Sequence, residues 1–135
     1  MKIKILIDTN VIIDYLADRE QFADAAERVL LECFKEDVTG YVTANAITDI
    51  YYVVSKSLGK DATLDAIRTL CSVLEIVDIG KTDILGAMEL DMPDYEDAIA
   101  AHCAKRINAD YIITRDKTGF NNAPVKVMQP TEFNA

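Results

Sequence analysis

Aspartates stand in this chain where apolar runs stop. Asp8 follows Ile5-Leu6-Ile7 directly, and Asp116 lies two residues beyond Tyr111-Ile112-Ile113-Thr114. Asn45 and Asp49 are four apart, so on a helix they share a face, opposite the apolar stripe of Ile47, Ile50 and Val54. Met92-Pro93-Asp94-Tyr95-Glu96-Asp97 sets Asp94 and Asp97 three apart, just ahead of Ala98-Ile99-Ala100-Ala101. Each carboxylate also has a purely structural explanation. An aspartate after a strand caps the next helix or closes a turn. Asp49 fits a solvated helix face, and Asp94 as N-cap with Asp97 in the first turn accounts for that pair.

Together they point to more. Four elements that bring carboxylates to one end of one sheet create a cluster of like charges that repel unless compensated. Divalent cations are the natural compensation, and donors that are all oxygen favour hard ions, Mg²⁺ or Mn²⁺. Two such ions about 3.5–4 Å apart activate a water and stabilise the leaving oxygen of a phosphodiester in an in-line displacement. Other chemistry is poorly supplied. His102 is the one histidine and there is no tryptophan, which excludes mechanisms built on several histidines. Cys33, Cys71 and Cys103 are odd in number, lack CxxC spacing and lie in apolar segments. They are expected to be buried free thiols in a reducing cytosol, not disulfides or zinc ligands.

The elements that must position these carboxylates alternate along the chain. Ile3 to Ile7 is expected to be a buried strand, followed by a short helix over 10–17 with Val11, Ile12, Tyr15 and Leu16 at helical spacing. A second helix spans 22–34 on Ala25, Val29, Leu30 and Phe34. Gly40 to Thr43 is a brief strand, and the next helix carries Ile47, Ile50, Tyr51 and Val54 inward and stops at Gly59. Then come a helix over 63–74, a strand over 76–79, a helix over 81–90, a helix opened by Pro93 and running to about Ile107, and strands at 111–114 and 125–128. Short strands separated by helices call for a parallel sheet covered on both faces. The expected fold is a three-layer α/β/α sandwich around about five parallel strands, with 1–135 as one domain. Its ligand belongs at the carboxyl ends of the strands, where the strand order reverses. Half of the residues are hydrophobic, ample for one core at this length. The longest apolar runs are a few residues, far short of the roughly 20 that cross a bilayer. Asp8 interrupts the amino terminus before an apolar signal core develops, so no secretory leader is expected.

At this point the chain resembles a family. Leu6-Ile7-Asp8-Thr9-Asn10-Val11-Ile12-Ile13-Asp14, Thr48-Asp49-Ile50, Asp94-Tyr95-Glu96-Asp97-Ala98 and Ile113-Thr114-Arg115-Asp116 are similar, in order and spacing, to the acidic motifs of PIN-domain nucleases. The resemblance covers essentially the whole chain. It implies a small α/β/α domain that cuts single-stranded RNA with Mg²⁺ or Mn²⁺. Many stand-alone bacterial and archaeal members are VapC-like toxins, which commonly dimerise and are held by an antitoxin protein. By position, the resemblance makes Asp8, Asp49, Asp97 and Asp116 the catalytic and metal-binding acids. The second acidic position is most often glutamate in the family, and here it is Asp49, one methylene shorter. Asp94 matches a branch with a doubled acidic motif and ligates directly or through water. Asn10 and Thr114 match positions that orient ligands or the scissile phosphate.

Two other folds with an aspartate after the first strand fit less well. A haloacid dehalogenase-like phosphatase needs a second aspartate where this chain has Asn10, and a receiver domain needs an acidic pair that does not precede Asp8. The non-enzymatic alternative is a PIN-like module that binds RNA or protein and has lost cleavage. A formal net charge of −9 looks wrong for an RNA binder, yet bound divalent ions reverse the local field. Lys56, Lys60, Lys105, Arg106, Arg115 and Lys117 lie in or beside the motif-bearing segments, as solvated charges or flanks of an RNA groove. His102, more than a turn past Asp97, is expected on a helix surface or interface. Tyr51 is expected in the core, although tyrosines such as Tyr51 and Tyr52 also stack on bases. Phe120 anchors the loop after Asp116, and an acidic nuclease surface suits a basic or amphipathic segment of an inhibitor.

Overall fold

The computed structural model describes residues 2–134. Its elements run β1 (Ile3–Ile7), α1 (Thr9–Leu16), α2 (Ala23–Glu32), β2 (Val38–Thr43), α3 (Ala44–Leu58), α4 (Lys60–Val73), β3 (Glu75–Val77), α5 (Lys81–Ala87), α6 (Tyr95–Arg106), β4 (Tyr111–Ile113) and β5 (Lys126–Met128). A 3₁₀ turn at Thr118–Phe120 follows β4. The strands form one sheet in the order β3-β2-β1-β4-β5, and every pairing is parallel. This is the expected three-layer α/β/α arrangement.

Alternation along β1 builds both layers. Ile5 and Ile7 point into a core shared with α1, α2, α3 and α4, while Leu6 points into a second core shared with α6, Ile112 and Phe120. All three are at most 1% exposed, and complete burial of such side chains contributes about 1.5–3 kcal/mol each. The order of the sheet reverses beside β1, with β2 on one flank and β4 on the other. Ile7 pairs with Ile113 across the β1–β4 ladder, which places Asp8 and Thr114 side by side at the strand ends.

Several boundaries differ from the sequence expectation. The helix expected to open at Pro93 begins at Tyr95, because Asp94 keeps extended backbone (φ −123°, ψ 126°) and caps it from outside. α4 starts at Lys60, three residues early, directly after Gly59 at φ +82°. α5 ends at Ala87 and continues as turns, and β3 stops at Val77. Cys33 and Cys103 are buried, and burial pushes their thiols up to about 12 and about 11. Cys71 is exposed, contrary to expectation, because the inward positions of α4 fall at Thr63 and Leu70. Among the described residues no helix is long and apolar enough to cross a membrane.

His102 lies at a helix interface, one of the two places expected for it. It belongs to a polar clamp that holds α6, the carrier of Asp94 and Asp97, against α5. The buried carboxylate of Asp83 accepts hydrogen bonds from Arg106 Nε and Nη2, both at 3.0 Å, and from the Gly80 N–H at 3.0 Å. His102 Nδ1 lies 2.9 Å from Asp83 Oδ1, and Arg106 Nη2 also donates to the Asp78 carbonyl at 2.6 Å. A Cβ at Gly86 would meet the His102 ring, so glycine is what lets the two helices approach. Burial by itself would raise the Asp83 pKa, but the bonds from Arg106, Gly80 and His102 outweigh it and hold the carboxyl far below the usual aspartate range. The stabilisation is therefore complete above about pH 4, the unfolded aspartate value, and is lost as pH falls toward the depressed folded value. Asp83→Ala is expected to cost roughly 2 kcal/mol, less than a fully buried pair, because Arg106 is 42% exposed and can turn to water. A urea midpoint that falls with an unchanged slope would show this, and an unchanged midpoint would contradict it.

Candidate active site

The carboxyl ends of β1 and β2, the start of α3 and the first turns of α6 surround an acidic recess, with the end of β4 tied to Asp8 beside it. It is lined by Asp8, Thr9, Thr43, Asn45, Glu96 and Asp97 over a floor of Leu6 and Ile7. Asp8 serves first as the N-cap of α1, its Oδ1 accepting the Thr9 N–H at 2.9 Å. Its Oδ2 accepts the Thr114 hydroxyl at 2.8 Å, and that hydroxyl accepts the Asp116 N–H at 3.0 Å. Thr114, fully buried at the end of β4, therefore ties the two strand-end aspartates together. Each Asp8 oxygen keeps a lone pair for a further partner.

Asp97 reaches the recess from α6. Its backbone N–H is satisfied by Asp94 Oδ1 at 2.9 Å, which leaves its carboxylate free of capping duty. A Cβ built on Gly119 would stand 2.5 Å from Asp97 Oδ2 and 3.0 Å from Asp116 Oδ2, so this glycine marks where the two carboxylates draw together. Asp116 Oδ1 accepts the Gly119 N–H at 3.2 Å.

The electrostatics are those of an uncompensated site. Burial, then repulsion from Asp8, Asp94, Asp116 and Glu96, pushes the Asp97 carboxyl up to about 7. Burial raises Asp8 as well, with Asp116 adding to it, against hydrogen bonds from Thr114 and Thr9 and the field of Arg115. Glu96 is raised by burial, by a hydrogen bond shared with Asp49 and by repulsion from Asp49, Asp94 and Asp8. No lysine or arginine lines the recess. Asn45 Oδ1 is buried there without a hydrogen-bond partner. An oxygen-only donor set, mutual repulsion and an orphaned amide oxygen fit a hard divalent cation. Among the described residues no three acidic, histidine or cysteine groups converge closely enough to grip an ion as they stand. The fit is to an ion that keeps several of its waters, as Mg²⁺ does.

A family model for the PIN domain matches residues 4–118, which spans all four acidic segments. The chain belongs to the PIN domain family. It is 30% identical over 138 residues to Ribonuclease VapC1 of Aquifex aeolicus (strain VF5), covering 96% of this chain and 92% of that protein. Its fold is similar to a chain of VapBC2 from Rickettsia felis bound to a DNA fragment from their promoter, with TM-score 0.73, 20% identity, and 94% and 98% of the two chains covered. It is also similar to a chain of a toxin-antitoxin complex from Klebsiella pneumoniae, with TM-score 0.69, 21% identity, and 95% and 98% covered.

Within this PIN fold the acids expected from sequence do not all meet. Asp8, Asp97, Thr114 and Asp116 come together. Asp49 is exposed on α3 and does not line the recess, and it acts on the cluster through its charge near Glu96. Asp94 is exposed and caps α6 with one oxygen. Asn10 is half-buried in the first turn of α1 and does not line the recess. Among the basic residues considered for an RNA flank, Arg106 is paired with Asp83, Arg115 with Asp14 and Lys117 with Glu132. Phe120 is buried against the α6 layer, as expected of a loop anchor. Asn45, expected to share a face of α3 with Asp49, does line the recess, whereas sequence reasoning did not single out Glu96. A usable signal was present for Glu96: Asp49 is a methylene short, and Glu96 adjoins Asp97 on the facing helix.

Proposed function

We propose that this PIN domain is a metal-dependent endoribonuclease that hydrolyses phosphodiester bonds of single-stranded RNA, and that it is the toxin of a toxin-antitoxin pair. The observation that carries the reading is the acidic recess at the sheet's switch point, where the half-buried carboxylates of Asp8 and Asp97 repel one another without a lysine or arginine in its lining. Asp8, Asp49, Asp97 and Asp116 hold Mg²⁺ or Mn²⁺. Glu96 extends the reach of Asp49, and Asp94 contributes a water-mediated contact from the oxygen not used in capping. When bound, the divalent ions activate a water and stabilise the leaving oxygen of the scissile phosphodiester. Thr114 keeps Asp8 and Asp116 in register, Asn10 orients ligands or phosphate at the mouth, and one of the carboxylates helps take the proton of the attacking water.

The similarity to Ribonuclease VapC1 supports the substrate class, and the solved toxin-antitoxin complex supports a protein inhibitor. An antitoxin would find apolar surface here. Leu31 and Phe34, 53% and 68% exposed, flank a groove between α1, α2 and α4 that suits an amphipathic segment. The test is cleavage of a short single-stranded RNA by purified protein with Mn²⁺, with Mg²⁺ and with EDTA. Cutting that requires the metal is expected. A folded, partner-free protein that cuts under none of these conditions would favour the RNA-binding or protein-interaction module.

A pH dependence accompanies the metal. A folded Asp97 held near 7 binds a proton that the unfolded chain releases near pH 4, so the metal-free protein loses stability as pH rises between those values. The cation needs that carboxylate ionised, so its binding releases a proton below pH 7. Mn²⁺ is expected to raise the thermal midpoint more at pH 8 than at pH 5.5. Equal shifts at the two pH values would contradict the assignment of Asp97.

A further inference from the structure

The recess is held from behind by an ion pair that its chemistry does not use. Asp14, in the last turn of α1, is 1% exposed, and no carboxylate is buried this deeply without compensation. Arg115 Nε donates to its Oδ2 at 2.6 Å and Nη2 to its Oδ1 at 3.2 Å, a two-pronged grip, with Arg19 Nη1 adding a contact at 3.3 Å. The Arg115 guanidinium also lies 4.0 Å from the centre of the Phe22 ring, so it is held at its edge by Asp14 and against Phe22 on one face. Arg115 is the residue between Thr114 and Asp116. Thr114 anchors the segment to Asp8 at the start of α1, and Arg115 anchors it to Asp14 near the end of the same helix.

We infer that Arg115 is a positioning residue for Asp116: gripping Asp14 and stacked on Phe22, it fixes the strand-end segment that presents Asp116 to the recess. The inference rests on the functional reading above and adds to it a residue that touches neither metal nor RNA. It carries an unusual sign. Arg115 is a cation beside a cation site, so on charge alone its removal would tighten metal binding. Positioning requires the reverse. Lysine keeps the charge but not the planar fork, so it should restore only part of the function.

The test measures Mn²⁺ affinity by electron paramagnetic resonance in the wild type, Arg115→Gln, Arg115→Lys and the milder Phe22→Leu, together with amide exchange over residues 116–119. Arg115→Gln is expected to weaken Mn²⁺ binding on the order of tenfold, as loss of an outer-shell support does. Arg115→Lys should fall between it and wild type. Exchange at 116–119 should quicken while β1 and α6 stay protected. Phe22→Leu, which keeps the ion pair and serves if Arg115→Gln fails to fold, should shift both readouts in the same direction. Wild-type binding of Mn²⁺ with unchanged or tighter binding in the folded variants would overturn the inference alone. A wild type that binds no Mn²⁺ would overturn the functional reading together with it.

Discussion

Asp97→Asn is expected to abolish RNA cleavage and, in the same protein, to stabilise the metal-free fold. Asparagine retains the backbone N–H that Asp94 accepts, so the start of α6 is preserved. What disappears is a half-buried negative charge that Asp8, Asp94, Asp116 and Glu96 all oppose. Relief of such repulsion is worth about 1 kcal/mol, the usual scale when a strained functional site is neutralised. The loss of cleavage should be at least about a thousandfold, the scale on which removing one group that serves transition-state charge is felt. Urea unfolding in EDTA and single-turnover cleavage in Mn²⁺ measure the two effects. A variant that is less stable, or that cuts at the wild-type rate, would contradict the role given to Asp97. Asp8→Asn should lose cleavage as fully, but with less gain in stability. Its oxygens also cap α1 and accept from Thr114, and asparagine offers only one of them.

Gly119→Ala is the second large effect, from a single methyl group. The added Cβ would fall 2.5 Å from Asp97 Oδ2, closer than real carbons approach, and a tight 3.0 Å from Asp116 Oδ2. The atoms it strikes are the ends of side chains, so the carboxylates can swing aside at little cost to the fold. The cost is expected in function instead, because both displaced groups belong to the metal-binding set proposed above. A misplacement of about 1 Å at a reacting centre costs on the order of a hundredfold, and Gly119→Ala is expected to lose cleavage by about that factor with its urea midpoint nearly unchanged. Raising the Mn²⁺ concentration should recover part of the rate, since the defect lies in metal binding. Wild-type cleavage in Gly119→Ala would show that the two carboxylates need not draw together.

The parallel α/β order was legible because each layer is written in local patterns. β1 is a run of isoleucine and leucine ended by aspartate, and α3 carries an apolar stripe at helical spacing. The acids that end β1 and β4 were legible for the same reason: a carboxylate that terminates a committed core strand can only emerge at the sheet's edge. Asp14 and Asp83 were not. Each looks like a solvated charge on a short helix, and each is buried because its partner arrives from far along the chain, Arg115 from 101 residues away and Arg106 from 23. Local pattern holds no information on such pairings. The start of α6 was misplaced because proline suits a first helical turn, whereas here Pro93 precedes an extended Asp94 whose side chain does the capping. Asp49 shows the limit from the other side. Its position on α3 was plain, but its influence on Glu96, 47 residues further along the chain, is not written in local pattern.

The central claim is that carboxylates from four separate elements form one divalent-cation site. Mn²⁺ binding by electron paramagnetic resonance, in the wild type and in Asp8→Asn, Asp49→Asn, Asp97→Asn and Asp116→Asn, tests it most directly. Saturable binding by the wild type, weakened in every one of the four variants, is the expected result. Wild-type affinity in any one of them would remove that element from the site, and a folded wild-type protein that binds no Mn²⁺ would contradict the account as a whole.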